Sequence, residues 1–299
     1  MADLHEGLRA YVERAAAAPP AWEQTLEALR AGPEDEHAEI WGKPDDVASV
    51  EDREAGGVRV RVYRPAAEVA LPGLVWLHGG GWVVGSLTSH DGLCRALAAR
   101  TPCVVIAVDY RLAPEHPFPA GLEDAWAGTE WAFAHAGELG IDARCISVGG
   151  DSSGGNLAAV VARRARDSGV VLRRQVLVYP VTDFDFERES HREHGTGLNL
   201  TTEKMQWYWR LYMNGADELH PDASPLRAEE LAGLASAVVV TASHDILRSE
   251  GEEYARRLKE AGVPVTLLHY DGMIHGFVRM PMLVEDAKKA VDAIAAALR

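Results

Sequence analysis

Residues 147–156 read Ser147-Val148-Gly149-Gly150-Asp151-Ser152-Ser153-Gly154-Gly155-Asn156. The residues before them, 144–148, are rich in β-formers, and 157–164 after them read as a helix. Between strand and helix lies Gly150-Asp151-Ser152-Ser153-Gly154, a match to Gly-x-Ser-x-Gly. That spacing predicts a turn so tight that the central residue is strained and its side chain stands clear of the sheet. Glycines two before and two after it remove the Cβ atoms that would clash where strand, turn and helix crowd together. Ser152 then sits at a helix N-terminus, where backbone N–H groups favour developing negative charge. A glycine-rich turn alone carries no chemistry; the flanking strand and helix supply the context that a nucleophile needs.

Outward from this unit the chain alternates strands and helices. Strands are expected at 74–77, 104–108, 175–179, 237–241 and 265–268, and helices at 91–100, 122–136, 250–261 and 283–298. The alternation Val58-Arg59-Val60-Arg61-Val62-Tyr63 reads as a half-exposed, antiparallel edge strand. The expected fold class is α/β, with a mostly parallel sheet of about eight strands covered by helices on both faces. Residues 1–45 form an N-terminal helical segment broken at Pro19-Pro20 and at Gly32-Pro33. Leu4, Leu8, Tyr11 and Val12 share one of its faces, and Trp22, Leu26 and Leu29 another. Residues 46–182 are a first part of the core, 183–226 an aromatic-rich insertion, and 227–299 the rest of the core. The insertion holds Phe184, Phe186, Trp207, Tyr208, Trp209 and Tyr212, more apolar surface than an exposed loop should carry.

The chain has 299 residues, enough for one large α/β domain. A net charge of −15 makes nucleic acid and anionic membranes poor partners. The first twenty residues lack an apolar run flanked by positive charge, so no signal peptide is read there. The three cysteines, Cys94, Cys103 and Cys145, are odd in number and without C-x-x-C spacing, so a reducing cytoplasm is the expected home.

In an open parallel sheet, chemistry collects outside the carboxyl ends of the strands. Four motifs sit at such ends: His78-Gly79-Gly80-Gly81, Ser152, Asp245 and His275. A serine hydroxyl needs a base, histidine is the usual one, and a carboxylate must hold its tautomer. Of twelve histidines, six precede Ser152, His191, His194 and His220 lie in or beside the insertion, His244 adjoins Asp245 and His269 sits within a strand pattern. His275 lies in a loop, followed by Gly276 and Phe277, and is the expected base. Asp245 is the expected acid because a separate strand end can place it behind the imidazole; Asp271, four residues from His275, is the rival. The glycines after His78 suit backbone donors to an oxyanion: Gly80 and Gly81 with Ser153, Gly79 being an alternative. Trp82, Tyr179, Trp207 and Phe277 are the expected substrate contacts. Gly-Asp-Ser also occurs in the chymotrypsin-type proteases, but those are all-β and have histidine before serine. No metal-ligand spacing and no phosphate-binding glycine motif is found, so neither metal nor cofactor is expected.

Taken together, these residues resemble the hormone-sensitive-lipase-like esterases, a bacterial branch of the α/β-hydrolase superfamily. The matches are His78-Gly79-Gly80-Gly81, residues 109–115, residues 150–158, Asp245-Ile246-Leu247-Arg248 and His275-Gly276-Phe277, in the family's order. The family's chain order of serine, acid and histidine fits Ser152, Asp245 and His275. The resemblance implies an α/β-hydrolase fold whose helical cap comes from residues 1–45 and 183–226. It implies a cofactor-free serine carboxylesterase acting on small-molecule esters with short to medium acyl chains. Dimers are common in that family, so a homodimer is the implied assembly. Amide or peptide hydrolysis by the same triad is an alternative, as is a non-catalytic receptor on the same fold, although a receptor would have no need of His275. Two departures stand out: Ser153 where alanine is usual, and Ile246 where proline is frequent.

Overall fold

The computed structural model describes residues 3–299. Eight strands form one sheet: β1 Ser49–Ala55, β2 Val58–Arg64, β3 Leu71–Leu77, β4 Val104–Val108, β5 Ile141–Asp151, β6 Arg174–Val178, β7 Ser236–His244 and β8 Val265–Ile274. Their order is β1-β2-β4-β3-β5-β6-β7-β8. Every pair from β4 onward is parallel, while β1–β2 and β2–β4 are antiparallel.

The sheet is buried on both faces, and its strands show it by alternation. Leu74 and Trp76 of β3 face one apolar cluster, Val75 and Leu77 the other. On the first side pack α3 (Asp91–Arg100) and α9 (Glu285–Leu298), through residues such as Leu93, Leu97 and Val291. On the second pack α4 (Ala120–Ala134), α5 (Ser153–Asp167) and α8 (Arg248–Glu260), through Leu122, Leu157 and Tyr254. With both faces covered, the central strands are continuous apolar runs, as a parallel sheet demands.

Two expectations need correction. Residues 58–63 are antiparallel, but they are not the edge: β1 lies outside them. β1 reads Ser-Val-Glu-Asp-Arg-Glu-Ala, whose charges hide a strand from apolar pattern while guarding an exposed edge from further pairing. Nor does Gly32-Pro33 break the N-terminal segment. α1 (Glu6–Ala17) is followed by one continuous helix, α2 (Leu26–Trp41), with Pro33 inside it. Tertiary contacts override the proline. Arg30 donates from Nε to the Val83 carbonyl at 3.0 Å and pairs with both Glu115 oxygens, while Ile40 and Trp41 are buried at the far end. Leu8 and Val12 of α1 join the core cluster of α3 and α9, whereas Trp22 is 38% exposed.

The insertion carries α6 (Glu189–His194) and α7 (Thr202–Met213). Its aromatic residues are largely covered: Trp209 and Tyr212 pack on Trp82, with the Tyr212 and Trp82 rings 4.2 Å apart and nearly parallel. Both ends of the insertion are pinned to the core. Asn156 on α5 donates to the Val181 and Ala223 carbonyls at 3.0 and 2.7 Å. The buried Asp183 carboxylate accepts two bonds from Arg227, at 2.6 and 3.0 Å.

The tightest packing is at the start of α5, where a Cβ on Gly154 would stand 1.9 Å from the Leu77 carbonyl oxygen. Gly154→Ala is therefore expected to destabilise the fold by about 3 kcal/mol or more, since only backbone could give way. Gly137→Ala, with nothing within 4 Å of the new Cβ, should change stability by less than about 0.5 kcal/mol. Urea unfolding midpoints of the two variants provide the check.

Candidate active site

Ser152 stands between β5 and α5 with φ +56° and ψ −120°, a conformation that non-glycine residues rarely adopt. It is held there by its neighbours. Its N–H donates to the Val178 carbonyl at 2.8 Å, and Gly150 and Gly154 meet with no room for a Cβ on either. The side chain lines a cavity, together with His275. His275 follows β8, and its Nε2 lies 2.9 Å from Ser152 Oγ. Its Nδ1 lies 2.7 Å from Oδ2 of Asp245, which follows β7 and is 1% exposed. The other Asp245 oxygen accepts the Leu247 N–H at 2.9 Å, which fixes the carboxylate. Asn199 of the insertion donates to the His275 carbonyl at 2.9 Å. Asp271 points elsewhere: its side chain is 77% exposed and 3.6 Å from His269. The serine, imidazole and carboxylate thus form one line, and Asp271 has no part in it.

The glycine loop after β3 narrows the choice of backbone donors. The Gly79 N–H is already engaged, donating to Asp151 Oδ1 at 3.1 Å. Gly80 and Gly81 line the cavity, and neither N–H has a backbone partner among the described residues. Ser153 is the first residue of α5, whose N–H has no partner within the helix. Its hydroxyl is buried and unpartnered, and the turn at Ser152 forms with serine in place of alanine. His78 does not face the cavity. It stacks on Tyr110 with ring centres 4.2 Å apart, and the Tyr110 hydroxyl donates to its carbonyl at 2.7 Å. Burial, and then His90 nearby, pull its pKa down to about 4, so it is neutral and structural at pH 7.

A second pair behind the loop went unread in the sequence. His90 Nε2 lies 3.2 Å from Asp151 Oδ2, and Ser89 Oγ lies 2.9 Å from His90 Nδ1. Burial works to raise the Asp151 carboxyl, but His90 beside it holds the pKa below the usual range. Asp151 therefore stays ionised and keeps the Gly79 N–H. The only sequence signal was the acid inside the motif; nothing marked His90, sixty-one residues earlier, as its partner.

The cavity above Ser152 measures about 180 Å³. Core loops supply Ser152, Gly80, Gly81 and His275, while α1, α2 and the insertion supply Tyr11, Glu36 and Tyr208 among others. Of the four expected substrate contacts, only Tyr179 lines it, its ring 4.7 Å from that of His275. The other three placements are corrected. Trp82 is buried beneath Trp209 and Tyr212, and Phe277 is buried against Tyr179 and Tyr270. Trp207 packs on the apolar core, and the next residue, Tyr208, takes the cavity wall instead. One helical step decides this, because successive residues on α7 point about 100° apart. Arg279, Lys204 and Glu36 also line the cavity, and no sequence signal singled them out. Beyond it a groove of about 560 Å³ shares Tyr11, Lys204 and Tyr208 with the cavity and runs along α1 and α2.

Among the described residues no cluster of three or more side chains could hold a metal, and no helix is long and apolar enough to cross a membrane.

This fold and site define a class. Residues 74–279 match the family model described as the alpha/beta hydrolase fold. The chain belongs to the hormone-sensitive-lipase-like family of the α/β hydrolases. It is 42% identical to the carboxylic ester hydrolase LipN of Mycobacterium tuberculosis, over 82% of this chain and 67% of that one. It is 40% identical to the ethyl acetate hydrolase of Pseudomonas putida, over 89% of this chain and 87% of that one. Among solved structures, the hyperthermophilic esterase from the archaeon Pyrobaculum calidifontis superposes with a TM-score of 0.92 at 39% identity, covering 99% and 98% of the two chains.

The alignment of Ser152, His275 and Asp245 predicts how the serine reacts. A fluorophosphonate should modify Ser152, as read by peptide mass spectrometry. Asp245→Asn should slow that labelling by roughly a thousand-fold or more, because the imidazole loses its tautomer and its partner. Asp271→Asn should change it by less than about twofold, in the range of ordinary surface substitutions. The reverse ranking would reassign the acid.

Proposed function

We propose that the protein is a serine carboxylesterase hydrolysing small carboxylic esters through an acyl-enzyme. The observation that carries this is the continuous line from Ser152 Oγ to His275 Nε2, at 2.9 Å, and from Nδ1 to Asp245, at 2.7 Å. The names of the relatives, an ester hydrolase and an ethyl acetate hydrolase among them, support the same reading.

In this reading Ser152 Oγ attacks the ester carbonyl carbon while His275 Nε2 takes its proton. Asp245 holds the proton on Nδ1 and stabilises the imidazolium. The carbonyl oxygen becomes an oxyanion facing the N–H groups of Gly80, Gly81 and Ser153. The C–O bond then breaks, and the alcohol leaves with the proton from Nε2. Water enters, gives a proton to His275 and attacks the acyl carbonyl; the acid departs and Ser152 recovers its hydrogen. No cofactor enters any step.

Residues 1–45 and 183–226 act in this reading as the cap, because Tyr11, Glu36 and Tyr208 close the cavity over Ser152. The cavity is not a closed tunnel, because it adjoins the groove along α1 and α2. Short chains are favoured for another reason. Glu36 and Lys204 line both the cavity and the groove beyond it, and a long alkyl chain would strip water from both. A cytoplasmic location is proposed on the three free cysteines, and a homodimer on the habit of the family.

Two measurements test the reading. Ser152→Ala should lower kcat on p-nitrophenyl butanoate by on the order of a million-fold while leaving the circular dichroism spectrum unchanged. A folded Ser152→Ala protein that kept most of its rate would remove the nucleophile from the mechanism. Across a p-nitrophenyl ester series, kcat/KM should peak between butanoate and octanoate and fall sharply by palmitate. Each methylene buried in the cavity gains about 0.8 kcal/mol only until the charged wall is reached. Strong activation on emulsified long-chain triglyceride would contradict the substrate class.

A further inference from the structure

Besides Asp151, which is engaged by the Gly79 N–H and His90, three charged side chains that the reaction does not use line the cavity above Ser152: Arg279, Lys204 and Glu36. Arg279 ends the short turn Phe277–Arg279, four residues beyond His275. Its Nε is sealed from solvent and has no hydrogen-bond partner. Among the described residues its guanidinium makes no ion pair within 4.0 Å. Lys204 is nearly as idle: its Nζ donates only to the Asn199 carbonyl, at 3.3 Å. Glu36 pairs with neither cation. Its place is fixed by Tyr11, whose hydroxyl is pushed up to about 12 by burial and then by Glu36, and is pulled back by Arg279. Glu36 and Arg279 therefore both lie near Tyr11 without meeting.

The Arg279 side chain thus lines the cavity with no carboxylate of the protein paired to its charge, while its Nε has lost water without gaining an acceptor. An arginine in that state is matched by a planar, doubly accepting anion, which a carboxylate supplies. A phosphate dianion would bring more charge against Glu36 and Asp151, which line the same cavity. We propose that the cavity selects carboxylic esters that carry a second, ionised carboxylate, bound by Arg279 with support from Lys204. This rests on the carboxylesterase reading above and names its substrate class. Arg279 is a specificity residue: it touches the distal carboxylate and not the reacting carbonyl.

The test compares charged and neutral esters of matched shape. On the acyl side, monoethyl glutarate is paired with the ester in which an isopropyl group replaces its carboxylate. On the alcohol side, the butanoate ester of β-hydroxypropionate is paired with its own isopropyl isostere. In at least one pair the wild-type kcat/KM should favour the carboxylate by about tenfold or more, and that pair identifies the side on which the anion is read. Arg279→Gln should lower this ratio about tenfold and Lys204→Met by less, a change that loss of general stability would not produce. Should Arg279→Gln not fold, wild-type hydrolysis of a neutral ester in the presence of glutarate decides. Inhibition beyond that of sodium chloride at equal ionic strength supports the site, and its absence overturns it. Neutral isosteres cleaved as fast as both charged esters would overturn the anion site and leave the esterase reading standing. No turnover of any ester, with Ser152 unlabelled by fluorophosphonate, would overturn the esterase reading and this inference with it.

Discussion

The crossing of β3, β5 and α5 is the constraint on which the rest depends. At Gly154 the helix backbone passes so close to Leu77 that no side chain fits, and Gly150 meets Gly154 on the other side. That contact turns the chain through Ser152 and holds it at φ +56°. Strain of this kind persists only where the surroundings over-determine it. Here β3, β5 and β6 all contribute, the last through the bond from the Ser152 N–H to Val178. A serine on an ordinary turn would be free to rotate away from His275. This one has its backbone fixed by a sheet.

The remaining parts of the site inherit their positions from the same sheet. Asp245 and His275 follow β7 and β8, which are neighbours and parallel, so carboxylate and imidazole arrive at one level beyond the strand ends. The glycine loop follows β3, beside β5. Asp151, next to the nucleophile, then ties that loop down through the Gly79 N–H. Ser152 and the glycine loop are thus joined by one carboxylate, and His90 behind it keeps the carboxylate charged. Buried pairs of this kind are weak evidence for stability. What this one supplies is a fixed relation between two loops.

How far the sequence could be read follows from what each feature leaves in it. The parallel core was legible because strands buried on both faces are continuous apolar runs, as at 104–108. The motifs at strand ends were legible because glycine spacing and chemistry coincide there. β1 was not, since an edge strand is polar by necessity. The continuity of α2 through Pro33 was not, because Arg30 and Trp41 hold it by contacts far away in the chain. Trp82 and Phe277 adjoin the motifs in sequence and Trp207 lies in the aromatic insertion, but the fold spends all three on packing. His90 left no pattern, because a single partner across the fold carries no periodicity, and Arg279 left none, because it reaches the cavity from a short turn after the last motif.

The insertion is more than a cover. A Cβ on Gly81 would stand 2.4 Å from the Tyr208 ring, so α7 rests directly on the glycine loop, where the proposed reading puts a backbone donor to the oxyanion. A few residues earlier, Asn199 bonds to the carbonyl of His275. One segment therefore buttresses both the donor loop and the base, while its Lys204 faces the same cavity. The shape of the substrate chamber and the alignment of the reacting groups are in this way set by shared contacts. A change in α7 that made room for a larger ester would also loosen Gly81 or His275. The glycine at position 81 is what lets Tyr208 come so close, and the closeness is what couples the size of the chamber to the geometry of the chemistry.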